Sequence, residues 1–267
     1  MNNPLITIVT VSYNAEDTIE KTILSVINQT YNNIEYIIID GGSKDGTVDI
    51  IKKYANKIAY WVSEPDKGIY DAMNKGILKA TGKWINFMNV GDWFNNKNVI
   101  SELVSHINDD AIIVYGDIIK MLSDIQYYEK AEPLTLLKNK MVFSHQAMFV
   151  KTEYHKQHLF DLSFRSSADY HFIYNSYFKR KVLFQYIPLL VANYDESDGM
   201  SKDNWKIAYR ENYRIWEIEN NKVKLLLMEF KLCKIGLRKV IKKILPNSII
   251  FKVQKHLLNK RGYKIAT

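Results

Sequence analysis

Residues 5–13, LITIVTVSY, are apolar and β-branched almost without a break, the pattern of a strand buried on both faces as in a parallel sheet. Asn14 stands where the next helix could start. Over 15–30, Ile19, Ile23, Leu24 and Ile27 recur at helical spacing, with Glu16, Asp17 and Glu20 in the first turns, where the helix dipole favours acids. A second buried strand, IEYIIID at 34–40, ends on Asp40 and enters the Gly-rich turn GGSKDGT. Asp45 or Thr47 can cap a helix over 47–56. A strand at 58–63, a helix at 69–80 and a strand at 83–89 follow, then the Gly91-Asp92 turn, a helix near 97–108 and a strand at 111–116.

This alternation with short links predicts an α/β fold with an open, mostly parallel, Rossmann-like sheet flanked by helices. Ligands of such sheets bind beyond the carboxyl ends of the strands. That rule directs attention to Asn14, Asp40, Pro65-Asp66 and Asn89-Val90-Gly91-Asp92. Residues 118–200 are less regular, with strands expected at 142–150 and 182–192 and a helix at 167–179. A polar helix is expected over 201–221. From 222 onward Leu226, Phe230, Cys233, Leu237, Ile241 and Ile244 recur at three- and four-residue steps among many lysines, Pro246 ends that helix, and a shorter basic amphipathic stretch follows at 248–260.

Charge sharpens this division. The net charge of +8 over 267 residues is unevenly placed. Residues 222–267 hold 13 Lys/Arg and one acid, Glu229, a net of +12, whereas residues 1–221 are net −4. The chain therefore reads as a catalytic unit, 1–221, followed by a basic amphipathic tail, 222–267, that seeks an anionic surface. One cysteine, Cys233, excludes an intrachain disulfide. The N-terminus lacks a basic segment followed by a long apolar one, and no window reaches the ~18 apolar residues of a spanning helix, so neither a signal peptide nor a membrane span is expected. A cytoplasmic protein, peripheral on the inner face of the membrane, is the corresponding expectation.

Acids at strand ends suit a cation and a phosphorylated ligand. Asp40 can accept a hydrogen bond from a base or cap its own turn. Asp92, on a Gly turn, suits Mg²⁺ or Mn²⁺ held by one or two carboxylates and substrate phosphates. The segments ITIVTVSYNAEDTIEKTILSVINQTY, IEYIIIDGGSKDGT and EPDKGIYDAMNKGILKATGKWINFMNVGD, in that order, resemble the family 2 glycosyltransferases of GT-A fold. EPDKGIYDAMNKGI with SHQAMFV and SSADYHF is similar to enzymes that build bacterial surface polysaccharides such as colanic acid, O-antigen or capsule.

The resemblance implies a role for each matching position. Thr10, Ser12 and Asn14 would line the nucleotide pocket, and Asp40 would hold the base, with uracil implied ahead of others. Asp66, Lys67, Asp71, Asn74 and Lys75 would frame the ribose, diphosphate and donor sugar, and His145 would contact the diphosphate or the acceptor. The family's metal motif usually reads Asp-x-Asp. Here Asn89-Val90-Gly91-Asp92 keeps one carboxylate, so the implied Mn²⁺ or Mg²⁺ rests on Asp92. Asp169, in Ala168-Asp169, matches the Asp of the family's Glu-Asp pair and would be the general base of an inverting transfer. Asp195, Ser197, Gly199 and Ser201 match a loop that closes over the diphosphate. A hexose or N-acetylhexosamine would pass from a UDP-sugar to a saccharide on a polyprenyl diphosphate lipid, with the tail on an anionic leaflet.

Two other classes compete. A nucleotidyltransferase, or a dinucleotide-binding oxidoreductase, would carry a Gly-rich loop after the first strand, where this chain reads SYNAEDT. A non-enzymatic binder gripping nucleic acid through its tail would have no use for the apolar stripe.

Overall fold

Every one of the seven residues of β1 (Ile6–Ser12) is buried, and the sheet is built outward from it. The computed structural model describes residues 3–122, 125–195, 205–218, 222–244, 247–260 and 265–266. β2 (Ile34–Asp40) lies parallel to β1 on one side, β3 (Tyr60–Ser63) continues beyond β2, and β4 (Trp84–Phe87) lies parallel on the other side. Helices α1 (Ile19–Ile27), α2 (Thr47–Lys53) and α3 (Ile69–Lys79) supply the crossovers. The register sets Ser12 beside Asp40 and Asp40 beside Ser63, so three polar side chains meet at the carboxyl edge.

Alternate residues of these strands enter two cores. Val9, Val11, Ile37 and Ile39 face α3 with Met73 and Ile77, while Ile6, Ile8, Tyr36 and Ile38 face α1 with Ile19 and Ile23. Close packing of α3 on β1 depends on Gly76, where an added Cβ would lie 2.5 Å from a Val9 methyl. At about 25 cal/mol per Å² of apolar surface removed from water, these two layers supply the main drive for folding.

Beyond β4 the sheet changes direction. A two-residue strand, β5 (Trp93–Phe94), and α4 (Val99–His106) lead to β6 (Ile113–Leu122) and β7 (Ile125–Glu129), an antiparallel pair. β8 (Met148–Lys151) lies between β4 and β6, antiparallel to both. Helices α5 (Thr152–Gln157) and α6 (Ala168–Phe178) precede β9 (Phe184–Asp195), which runs parallel to β6 and pairs with β5. The strand expected at 111–116 thus does not extend the parallel block directly, because β8 is inserted between. Apolar patterning marks a strand as buried but carries no direction.

Two other expectations move. Helix α1 starts at Ile19 because Asn14 adopts a left-handed conformation, φ 45°, and works as a clasp instead of a helix start. Its Oδ1 accepts from the Lys44 amide and its own amide donates to Ser43 Oγ. The strand expected over 142–150 is confined to β8, since His145–Ala147 form a 3-10 turn.

The segment after 222 is attached to the fold at both ends. Helix α7 (Trp205–Ile215) is followed by α8 (Lys222–Ile244), which buries Leu232 and sets Gly236 against the Trp205 ring. Helix α9 (Asn247–Lys260) buries Leu258 against Ile125 and Tyr127, and β10 (Ile265–Ala266) pairs with β7. Among the described residues no helix is long and apolar enough to cross a membrane.

One buried base offers a test of the core. His155 is fully buried and stacked on Phe172 with centroids 4.4 Å apart. Its Nε2 has no partner, and burial pushes its pKa down to about 4. Because the folded value is depressed, the unfolded chain takes up a proton below about 6.5 that the folded chain refuses, so stability is lost as pH falls from there toward 4. The slope reaches about 1.4 kcal/mol per pH unit. In urea unfolding from pH 7 to 4.5, wild type should lose stability relative to His155→Phe at up to that slope; an identical pH dependence in the two proteins would remove His155 as a source.

Candidate active site

Three serines and two backbone amides surround one carboxylate at the carboxyl edge of the parallel strands. Asp40 is fully buried and accepts from Ser12 Oγ at 2.9 Å, Ser63 Oγ at 2.6 Å, Ser43 Oγ, and the amides of Gly42 and Ser43. Burial acts to raise its pKa, but the bonds from Ser43, Ser63 and Ser12 outweigh that and hold it low. With five donors in place Asp40 is an ionised hub that fixes the 41–47 turn. Asp66 closes the next loop, its Oδ1 accepting from the Gly68 amide at 2.7 Å and its Oδ2 lying against Gly41.

A second polar cluster lies past β4. The chain follows β1 as far as Val90, turns at Gly91 with φ 91°, and presents Asp92. Thr22 of α1 donates to the Asp92 carbonyl at 2.7 Å and accepts from the Gly91 amide, which fixes the turn. The Asp92 carboxylate is 5% exposed and takes a bond from Gln146 Nε2 at 2.9 Å. Burial pushes its pKa up to about 7, with Asp195 adding to the rise and Gln146 and His145 opposing it. The segment that carries Gln146 is held by Asn86, whose amide donates to the carbonyls of Gln146 and Met148.

His145 bridges this cluster to α6. Its Nε2 lies 3.3 Å from Asn89 Nδ2, and its Nδ1 donates to Asp169 Oδ2 at 3.0 Å. Asp169, in the first turn of α6, also accepts on Oδ1 from Tyr70 Oη at 2.9 Å and from the Tyr170 amide at 2.8 Å. Burial favours the neutral carboxyl, yet His145 and Tyr70 together hold Asp169 below its ordinary value. Burial likewise lowers His145, and the bond to Asp169 more than reverses this. Just before α6, Glu211 of α7 accepts from the amides of Arg165 and Ser166 and fixes the approach to Asp169. A cavity of about 320 Å³ opens over His145 and Asp169 and is lined also by Tyr70, Gln146, Lys120 and Lys130.

A model of a family described as "Glycosyl transferase family 2" matches residues 7–183. The chain belongs to that family. An uncharacterized glycosyltransferase of Mycobacterium tuberculosis is 34% identical over 177 residues, 64% of this chain and 68% of the relative. A PGL/p-HBAD biosynthesis glycosyltransferase of Mycobacterium bovis is 28% identical over 212 residues, 75% of this chain and 80% of the relative. S. aureus TarS 1–349 in complex with UDP-GlcNAc superposes with a TM-score of 0.61 at 15% identity, over 79% of this chain and 66% of that one. The mannosyltransferase PcManGT from Pyrobaculum calidifontis, in complex with GDP-Man and Mn²⁺, gives 0.60 at 17% identity, over 79% and 62%. The chain spans 38% of the length of the longer TarS chain. These structural likenesses establish the GT-A fold.

As a family 2 glycosyltransferase the chain distributes its expected site residues unevenly. Ser12, Asn14, Asp40 and Asp66 gather in the loops at the ends of β1, β2 and β3. Lys67 is exposed at the start of α3, with its amide on Asp71 Oδ2, and Lys75 pairs with Glu64 at 2.8 Å. Two residues do not join them. Thr10 is fully buried below the edge, donating to the Met88 carbonyl. Asn74 is pinned to the Phe160 backbone by both ends of its amide, each at 2.9 Å, so it braces α3 and does not face the donor. Of the closing loop, Asp195 ends β9, while Ser197, Gly199 and Ser201 lie outside the described residues.

The sequence reading missed Tyr70, Asn86 and Gln146. Tyr70 stood inside EPDKGIYDAMNKGI and Gln146 beside His145, but nothing in either string tells which carboxylate each will meet. The oxygens at the β4 turn fit a hard divalent cation: Asp92 carries a single donor and a raised pKa, and Asn89 Oδ1 is buried without a partner. Among the described residues no three acids, histidines or cysteines converge, so such an ion would need substrate oxygens to complete its shell.

Proposed function

We propose that this chain is an inverting glycosyltransferase that moves a hexose or N-acetylhexosamine from a UDP-sugar to a lipid-linked saccharide during assembly of a bacterial surface polysaccharide. The observation that carries the reading is Asp169: an ionised carboxylate, held on three sides, at the wall of the cavity and one histidine away from the Asp92 turn. The nucleotide lies over the Ser12–Asp40–Asp66 loops, with its diphosphate toward Lys67, Lys75 and the Asp92 turn. A TarS structure with UDP-GlcNAc supports a uridine donor.

Asp169 takes the proton of the acceptor hydroxyl as that oxygen forms a bond to the anomeric carbon. The bond from that carbon to the diphosphate oxygen breaks, and the electron pair leaves with UDP, so an α-linked donor gives a β-linked product. Mn²⁺ or Mg²⁺ held by Asp92 and Asn89 would offset charge on the departing diphosphate. PcManGT with GDP-Man and Mn²⁺ supports a divalent cation. The acceptor enters from the β6–β7 side of the cavity.

The enzyme sits on the cytoplasmic face of an anionic membrane through α8. Val223, Leu226, Leu227, Phe230 and Leu237 recur on one face of that helix, and each is at least 63% exposed. Leu232 is buried on the opposite face, so the fold leaves these residues uncovered. Lysines flank it, and each basic residue near an anionic surface adds about 1 kcal/mol.

Asp169→Asn should lower turnover of UDP-N-acetylglucosamine, read as UDP release, by about 10²–10⁴-fold while calorimetric UDP affinity stays near wild type. Near-normal turnover would remove Asp169 from the mechanism, since Asn serves a helix start about as well. For the tail, Leu226→Ser with Phe230→Ser in the full chain should release protein from phosphatidylglycerol vesicles without loss of thermal stability. Retained vesicle binding would show that the stripe is not the membrane contact.

A further inference from the structure

We infer that His145 and Tyr70 are positioning residues that aim Oδ2 of Asp169 at the acceptor, and that His145 does not serve the leaving diphosphate. The inference rests on the reading of Asp169 as general base and deepens it.

Oδ1 of Asp169 already accepts from Tyr70 Oη and from the Tyr170 amide, whereas Oδ2 accepts from His145 Nδ1 alone. Oδ2 is therefore the less occupied oxygen, and Asp169 lines the cavity together with Tyr70 and His145. The incoming hydroxyl is directed to Oδ2, beside the imidazole. Without the two side chains the carboxylate could rotate about its χ2 torsion, which is broad for Asp, and present either oxygen.

The same bonds take His145 away from the donor. A carboxylate only accepts, so Nδ1 carries the proton and is committed to Asp169. The other ring nitrogen faces Asn89 Nδ2 at 3.3 Å. The ring is held between Asn89 and Asp169, and Asn86 holds the 3-10 turn that carries it through the carbonyls of Gln146 and Met148. Tyr70 is equally fixed: it is 8% exposed, packs on Phe160 with centroids 5.4 Å apart, and stands on α3, the helix that borders the donor loops. The Tyr70–Asp169 bond thus ties α3 to α6 across 99 residues of sequence. It sets the base relative to the donor as well as to the acceptor.

The test compares His145→Ala, His145→Asn and Tyr70→Phe in the full-length protein. Turnover is read as UDP release from UDP-N-acetylglucosamine and affinity as calorimetric UDP binding with Mn²⁺. His145→Ala should lower kcat by about 10²-fold, as expected for a misplaced reacting group, with KM and UDP affinity unchanged. His145→Asn should recover most of that loss, because its side-chain amide can stand where Nδ1 stands. Tyr70→Phe should lower kcat alone, by a smaller factor. If His145→Asn is as defective as His145→Ala and UDP affinity falls with it, His145 belongs to the diphosphate and the inference is overturned. Normal turnover in His145→Ala overturns it as well. Neither result touches the role of Asp169, which Asp169→Asn tests separately. A substrate-free measurement is the imidazole ¹H–¹⁵N spectrum of the wild type. It should show a slowly exchanging Nδ1–H at His145 that disappears in Asp169→Ala, and a proton on Nε2 alone would contradict the assignment.

Discussion

A carboxylate enclosed by protein keeps its charge only while donors replace the water it has lost, and the buried acids of this chain differ in how fully that happens. Asp40 has five donors, Asp169 has three and Asp92 has one. The first two are held below their ordinary pKa values despite burial, and the third is pushed up to about 7. Five donors make Asp40 a rigid hub that shapes the loops at the carboxyl edge. Three leave Oδ2 of Asp169 the less occupied oxygen. One donor leaves Asp92 largely uncompensated. Asp117, buried on β6, accepts from Tyr128, Tyr186 and the Ala131 amide and so ties β6 to β7 and β9.

The fold serves these acids by register. The parallel pairing of β1, β2 and β3 brings Ser12 and Ser63 to Asp40 from either side. The antiparallel insertion of β8 does the corresponding work for the second cluster. Because β8 runs against β4, the turn that precedes it opens at the carboxyl end of β4, where His145 and Gln146 meet Asn89 and Asp92. Helix α6 then delivers Asp169 to the same edge, steadied from behind by Glu211.

Much of this was legible in the sequence, for reasons that also explain what was not. Buried parallel strands are continuous apolar runs, so β1, β2 and β4 and the crossover helices stood out, and the strand-end rule pointed to Asp40 and Asp92. Asp169 was singled out only through a family resemblance, since an acid in the first turn of a helix is ordinary. The direction of β8 was hidden because a short apolar run reads alike both ways. Thr10 and Asn74 show that a polar residue in a matching motif can face the core and satisfy itself there, as both do. Tyr70 and Gln146 were missed because their partners lie 99 and 54 residues away, and only the folded chain pairs them. Of the apolar stripe expected from 222 onward, Leu226, Phe230 and Leu237 are exposed on α8, and patterning alone did not tell whether the domain would cover them.

The central claim is a single displacement in which the acceptor oxygen enters from the Asp169 side as the nucleotide leaves from the other. The configuration of the new linkage tests it most directly, because it depends on which face of the sugar is attacked and not on rate, metal or membrane. Proton NMR of the first product formed from an α-linked UDP-sugar should show a β anomeric proton. An α anomer formed before any solution equilibration would contradict the displacement and, with it, the assignment of Asp169 as its base.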